Sequence, residues 1–477
     1  MLNPSAPWIV LKFGGTSVAS AAAWRRILSI SETHLRAGFR PLLVCSALAG
    51  VSNLLEESYD LAVAGLEYQP VYRRIVQRHR SLCEALRLPL PAEAESLIWQ
   101  LRKQLVTCAM HQQPAAACKA KVMAIGELLA SVLGHAWLLN QGLDLDWIDA
   151  RSLLSSQDQE DSERHYLSAQ CDYSRNAALA WRLAQMAPGG ALTQGFIARD
   201  TEGETILLGR GGSDTSAACL AAKLGAVRLE IWTDVPGLFT AQPQLVPQAR
   251  LLPELNYEQA ERMAYRGARV LHPRCLAPLR HYEIPLRVCS PEMPAFEGTW
   301  IRNTAPTAAA GIQAVLTRNG LCHIALNSRQ AQHEAAFSAA IRQSFTRQHL
   351  NLTSLVVTPS EASILIDTRL ELPNPRRLQA ALQELSPLAA AVLQTDACSL
   401  SLIGSHPVQA LPQAICPELD HAIHQADAQE LTVVLEPGQS ESQVQHLHRS
   451  LIESQPETGF GPSWAELNQT SLTALAS

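Results

Sequence analysis

The segment LLGRGGSDTSAACLAAKLGA, from Leu207 to Ala226, runs an apolar strand into two glycines, a Ser-Asp-Thr-Ser cluster and an alanine-rich helix. Gly211 and Gly212 allow a sharp turn and a close approach of backbone to a ligand. Ser213, Asp214 and Thr215 are residue types that cap a helix N-terminus. A helix start carries partial positive charge and unpaired N–H groups, which suits an anion such as phosphate. A Walker-type phosphate loop needs G-x-x-x-x-G-K-[ST], and no lysine stands here. The cation must come from elsewhere. Lys12 is placed to supply it, near the end of the strand WIVLKF and directly before Phe13 and the turn Gly14-Gly15-Thr16-Ser17. In an open parallel sheet, ligands bind in the crevice at the carboxyl ends of the strands. Both glycine turns would line that crevice and bring Lys12, Arg210 and Asp214 to it. These parts suit phosphoryl transfer, which depends on positioning and charge neutralisation.

The elements that must hold these residues follow from the pattern around them. WIVLKF, a helix from about Ala21 to Leu35 and the buried strand RPLLVCSA make a β-loop-α-β unit, hence a parallel sheet with helices on its faces. The second strand ends in another small-residue turn, LAGVSN. Residues from about Leu54 to Leu139 read as largely helical. Further strands are expected at LDWIDA, ALTQGFIA, ETILLG, VRLEIWTD and PLRVCS. EGTWIRNTAPTAAAGIQ is small, polar and Pro-containing, which places a domain boundary near Pro306. Beyond it, GLCHIALNS, ACSLSLIGS and ELTVVLE read as strands, LTSLVV with ASILID as a hairpin, and EAAFSAAIRQSFTRQH and ESQVQHLHRSLIES as helices. The expected division is a catalytic domain over 1–305 and two small α+β modules over 312–477.

Bulk composition excludes several classes. The 477 residues are 47% hydrophobic and 17% charged with a net charge of −6, an ordinary globular profile that argues against nucleic-acid and acidic-membrane partners. No uninterrupted apolar run looks long enough to span a bilayer, and the N-terminus lacks the charged start and apolar middle of a signal peptide. A cytoplasmic location is expected. The 11 cysteines contain no C-x-x-C pair and sit in apolar contexts, as small buried hydrophobes of a reducing compartment do. No histidine spacing indicates a metal site ligated by protein side chains.

Seven strings, VLKFGGTSVAS, VCSALAGVSNLL, GELLAS, GFIA, GRGGSDTSA, IWTDVPGLFTAQP and GARVLHPR, occur in the order found in aspartate kinases of the amino-acid kinase family, which the first domain closely resembles. The resemblance implies a three-layer α/β sandwich around a roughly eight-stranded, mostly parallel sheet. It implies transfer of the ATP γ-phosphoryl group to L-aspartate, giving 4-phospho-L-aspartate, the first step toward lysine, threonine and methionine. In look the chain is nearest the kinase half of bifunctional aspartate kinase–diaminopimelate decarboxylase proteins.

The resemblance also implies roles. Lys12 would bridge the transferring phosphoryl group and Asp214 would organise the centre. Arg210 would hold the substrate carboxylate as a bidentate fork. Glu127, between apolar Ile125 and Leu128, would meet the substrate ammonium. Ser46, Ser52 and Ser213 would add hydrogen bonds, and Phe196 would wall the pocket. Phe13, Gly14, Gly15, Gly211, Gly212, Thr233, Asp234, Phe239, Gln244, Arg269 and Val270 fall at nucleotide positions, with Mg²⁺ carried in by ATP. Phe239, Gln242, Gln244 and Arg269 stand where Tyr, Asp, Arg and Lys are usual; loss of an arginine at Gln244 would cost about 1–3 kcal/mol of charged hydrogen bonding.

The C-terminal modules resemble, more thinly, the paired ACT domains of aspartate kinases. That implies association into a homodimer or higher oligomer and an amino-acid effector site, for which Ser354, Ser360 and Glu361 are the matching positions. The alternatives are a kinase for another acidic amino acid and a non-catalytic amino-acid sensor of the same fold.

Overall fold

The computed structural model describes residues 6–156, 159–185, 189–268, 270–304, 311–330, 333–368, 374–405, 423–426, 429–435, 438, 440–455 and 459–469. Two compact units divide the chain. One comprises Met1–Gly237, Glu254–Tyr257 and Val270–Thr304; the other comprises Leu238–Pro253, Glu258–Arg269 and Ala305–Ser477.

The first unit is built on an eight-stranded sheet. Its strands are β1 (Trp8–Phe13), β2 (Arg40–Cys45), β3 (Asp146–Ile148), β4 (Ala191–Gln194), β7 (Leu229–Trp232), β8 (Glu254–Asn256), β9 (Leu286–Cys289) and β10 (Thr299–Arg302), in the order β3-β4-β2-β1-β7-β9-β10-β8. Every neighbouring pair is parallel except β9 with β10. β1 and β2 are buried along their whole length, as central strands covered on both faces must be. The hairpin β5 (Ile197–Arg199) and β6 (Thr205–Leu207) stands apart as a two-stranded sheet.

One expected strand and one expected linker segment are corrected here. ALTQGFIA is not one strand: it breaks at Gly195-Phe196 into β4 and β5, which belong to different sheets. TWIR, assigned above to the linker, is β10. The helical stretch resolves into α2 (Val51–Val63), α3 (Gln69–Leu86), α4 (Ala92–His111) and α5 (Ala116–Asn140), after α1 (Ala21–Arg36); the short helices α6 (Ser162–Leu167) and α7 (Ala177–Ala184) follow. By length and composition α5 does pass the test for a membrane span, contrary to the sequence reading, but 78% of its apolar window is buried inside the unit. It is apolar all round because it is a core helix.

The second unit holds a six-stranded antiparallel sheet. Its strands are β11 (Ile312–Ser328), β12 (Ser354–Val357), β13 (Glu361–Asp367), β14 (Ala389–Gly404), β15 (Ile423–Ala426) and β16 (Glu430–Leu435), in the order β12-β13-β11-β14-β16-β15. β11 and β14 are longer than the strings that announced them and pair along nearly their full length, so one sheet runs through the region expected to hold two modules. β12 and β13 form the expected hairpin. Helices Glu334–Arg347 and Pro375–Leu385 bury Phe337, Ile341, Phe345, Leu378 and Leu385 against Ile324, Leu326 and Ile364.

Candidate active site

The central strands deliver two loops to one place. β1 ends at Phe13, whose buried ring stacks on Trp232 of β7 at 6.3 Å between centroids. The Gly14 amide donates to the Trp232 carbonyl (3.3 Å), so it is committed to the sheet. The Ala49 amide donates to the Gly15 carbonyl (3.1 Å) and the Ser46 amide to the Phe13 carbonyl (3.2 Å), which zips the turn after β1 to the turn after β2. A Cβ at Gly15 would lie 2.9 Å from the Ala47 carbonyl oxygen, so the two turns approach as closely as only glycine permits.

The third loop leads into α8 (Gly212–Leu224). Its N-cap is Gly211, in the left-handed conformation at φ +65°, with no side-chain cap. This corrects the expectation that Ser213, Asp214 or Thr215 caps the helix; all three lie inside its first turn. Thr215 and Ser216 turn their hydroxyls back to the carbonyls of Gly211 and Gly212 at 3.1 and 2.7 Å. Asp214 is thereby free to face β1, and its Oδ1 lies 2.6 Å from Lys12 Nζ, with both residues 9% exposed.

A cavity of about 340 Å³ opens among these loops. It is lined by Lys12, Gly14, Gly15, Ser46, Ser52, Glu127, Phe196, Arg210, Gly211, Gly212, Ser213 and Asp214, together with Ala47, Leu48, Ala49, Gly50 and Gly209. Arg210 is exposed at its edge. Glu127 reaches it from the middle of α5. Its Oε1 accepts from the Ala47 amide (3.3 Å), while its Oε2 is buried without a partner among the described residues. Burial pushes the Glu127 carboxyl up to about 8, and the Ala47 amide pulls it back only in part. A carboxyl buried and half-satisfied in a cavity is waiting for a cation.

Phe196 walls the cavity at φ +68°, a conformation costly for a residue with a Cβ. Two hydrogen bonds hold it there: its amide donates to Ser216 Oγ and its carbonyl accepts from the Leu208 amide, both at 2.8 Å.

The remaining predicted positions lie outside this lining. Thr233 and Asp234 follow β7; the Thr233 amide donates to the Cys289 carbonyl and its hydroxyl lies 3.0 Å from Asp234 Oδ1. Val270 is half-buried, and Arg269 lies outside the described residues. Phe239 and Gln244 belong to the second unit, where Phe239 is buried edge-on to Trp464 at 5.7 Å and Gln244 is exposed. Ser354 pairs with Leu365, whereas Ser360 and Glu361 sit at the turn of the same hairpin. Four residues of strand, about 13 Å, separate Ser354 from Glu361 in register.

Two contributors escaped the sequence reading. The Ala47 amide carries no side-chain signal. Arg274, in the string GARVLHPR, donates to the carbonyls of Leu208 (2.7 Å) and Ala169 (2.6 Å) and so braces the strand that leads into Gly209–Gly211. Its neighbour His272 explains Gly211: a Cβ there would fall 2.2 Å from His272 Cγ. Gly225, at the other end of α8, has a similar φ of +60° but no atom within 4 Å of a built Cβ. Gly225→Ala should therefore cost about 1 kcal/mol for backbone strain alone, and Gly211→Ala about 3 kcal/mol or more, with loss of activity. Urea unfolding of the two variants checks this; equal costs would remove the ring contact as the reason for the glycine.

Comparison with known proteins bears on this geometry. Residues 7–290 match the amino acid kinase family. The chain is 30% identical over 405 residues to lysine-sensitive aspartokinase 3 of Escherichia coli, covering 83% of this chain and 87% of that protein. It is 33% identical over 294 residues to an aspartokinase of Chlamydia pneumoniae, covering 61% of this chain and 62% of that one. Among solved structures, Escherichia coli aspartokinase III in complex with aspartate and ADP, in the R-state, superposes with a TM-score of 0.79 at 29% identity, over 93% of this chain and 99% of that one.

Proposed function

The chain belongs to the amino acid kinase family, on its aspartokinase branch, and from that premise we propose that the cavity transfers the γ-phosphoryl group of ATP to the side-chain carboxylate of L-aspartate. The observation that carries this reading is the Lys12–Asp214 pair, which shares one cavity with Glu127 and Arg210.

The chemistry follows from charge. The acceptor carboxylate, with an ordinary pKa near 3.9, is ionised at neutral pH and needs no general base. The barrier lies in bringing one anion to another. Lys12 supplies positive charge between them, and Asp214 fixes its ammonium through the ion pair. Asp214 is then an orienting group and not a proton acceptor. The N-terminus of α8 adds its partial positive charge on the same side. At the far side Glu127 Oε2 receives the substrate ammonium and Arg210 clamps its α-carboxylate, which aims the side-chain carboxylate at the phosphoryl group. Ser46, Ser52 and Ser213 supply hydroxyls and Phe196 closes the wall. Thr233 and Asp234, at the end of β7, serve the nucleotide. Bound with ATP, Mg²⁺ would supply further charge neutralisation, and Asp214 is a cavity carboxylate that would hold it or its water; the described residues contain no group of three metal-ligating side chains.

Substrate preference tests the assignment. With Glu127 and Arg210 fixing both α-groups, an added methylene displaces the reacting carboxylate. ADP release with L-aspartate should exceed that with L-glutamate by about tenfold or more in kcat/KM. Faster turnover of glutamate would remove Glu127 and Arg210 from these roles.

The antiparallel unit is proposed to mediate self-association and to bind an amino-acid effector. A solved structure of the Escherichia coli enzyme in complex with lysine and aspartate, in the T-state, supports the effector half of this reading (29% identity, TM-score 0.68, 93% of this chain and 99% of that one). Because Ser354 does not converge with Ser360 and Glu361, these three positions do not make one pocket within a single hairpin. Light scattering with and without L-lysine and L-threonine tests both halves of the proposal. A monomer unaffected by either would overturn it.

A further inference from the structure

Away from the cavity, two nucleophilic side chains on different elements meet. Cys108, in the last turn of α4, and Cys118, the third residue of α5, hold their sulfurs 2.6 Å apart. A disulfide spans about 2.05 Å, so the pair needs little movement to join. The turn between the helices is fixed from outside. Tyr59 of α2 accepts from the Ala115 amide (2.9 Å) and donates to the Ala115 carbonyl (3.1 Å). Lys119 lies over the Tyr59 ring and pairs with Glu56 at 2.6 Å.

The two thiols are unequal. Cys118 is partly exposed and Cys108 buried. Cys118 also stands at a helix N-terminus, which favours thiolate. The hydrogen bond from Cys108, and then the charge of Lys121, hold the Cys118 thiol below its ordinary range; the same hydrogen bond and burial raise Cys108. An accessible attacking thiolate beside a sheltered second thiol is the arrangement of a redox-responsive pair. Cys171 and Cys219 also adjoin, but Cys171 stands at no helix N-terminus and its thiol faces the Ser155 and Asp172 carbonyls at 3.5 Å, so that pair is the internal comparison.

We propose that Cys108 and Cys118 are a reversible oxidation site that exchanges with small-molecule disulfides of the glutathione class. The Cys118 thiolate attacks one sulfur of the disulfide, whose S–S bond breaks and releases one thiolate. Cys108 then loses its proton and attacks Cys118 Sγ, expelling the second thiolate. Two cysteines are oxidised, one small disulfide is reduced to two thiols, and the protons pass to those thiols. The new bond ties α4 to α5, the helix that carries Glu127.

The test uses the full chain in oxidised glutathione, read by intact mass and peptide mapping. The expected result is loss of two hydrogens, a cross-link between Cys108 and Cys118, and reversal by dithiothreitol. Cys108→Ser should instead accumulate one glutathionyl group on Cys118, and Cys118→Ser should give neither product at Cys108. On the unmodified wild type, limiting iodoacetamide should label Cys118 before the other ten cysteines. A wild type that keeps both thiols, links Cys171 to Cys219 first, or is alkylated first elsewhere would overturn the proposal.

Discussion

Lys12→Ala is expected to lower kcat for aspartate-dependent ADP release by about 10³-fold, the scale set by removing one preorganised charge from a transition state. The KM for L-aspartate should move little, because in the proposed site Glu127 and Arg210 would hold the acid. The split matters: an interaction made only as charge shifts appears in kcat, whereas uniform binding appears in KM. The substitution also strands Asp214, which is 9% exposed and paired with Lys12 at 2.6 Å. Some loss of stability is therefore expected, since an uncompensated buried charge is costly. Lys12→Ala/Asp214→Asn removes both charges and should recover stability without recovering turnover. A single variant within tenfold of the wild-type kcat would take Lys12 out of the reaction.

The second large effect is at Glu127, and it runs in two directions. Glu127→Gln keeps the shape but offers the substrate ammonium a neutral amide, so KM for L-aspartate should rise about 50-fold or more. The unliganded variant should be more stable than wild type. In the folded, empty protein burial raises the carboxyl from 4.5 to about 8. A raised folded value means that the contribution to stability is fully present below about 4.5 and is lost as pH climbs toward 8. At pH 7 the cost is on the order of 3 kcal/mol, and its removal should raise the first unfolding transition by about 5 °C. Wild-type stability should fall from pH 5 to pH 8 more steeply than that of Glu127→Gln. Parallel pH profiles would show that the carboxyl is already satisfied without substrate.

What the sequence disclosed was local chemistry. Glycine pairs, a lysine at a strand end and a hydroxyl cluster before an alanine-rich helix have few structural alternatives, so both turns and the parallel sheet between them were readable. Three things were not. ALTQGFIA reads as an unbroken strand because the break falls on Phe196, which reaches φ +68° only through Ser216 Oγ and the Leu208 amide, contacts made by distant parts of the chain. TWIR lies among Pro and small residues and gains strand character only by pairing with β8 and β9. The Ala47 amide and the Arg274 brace act through backbone carbonyls and amides, which no residue type announces. Glu127 is the intermediate case: its apolar neighbours marked it as buried, but only the fold shows that Oε2 is left without a partner.

Phosphoryl transfer to a carboxylate is tested most directly by trapping the product. Incubation with ATP and L-aspartate in the presence of hydroxylamine should convert the acyl phosphate to aspartyl hydroxamate, one for each ADP released. ADP formed without hydroxamate, or no ADP when aspartate is added, would contradict it.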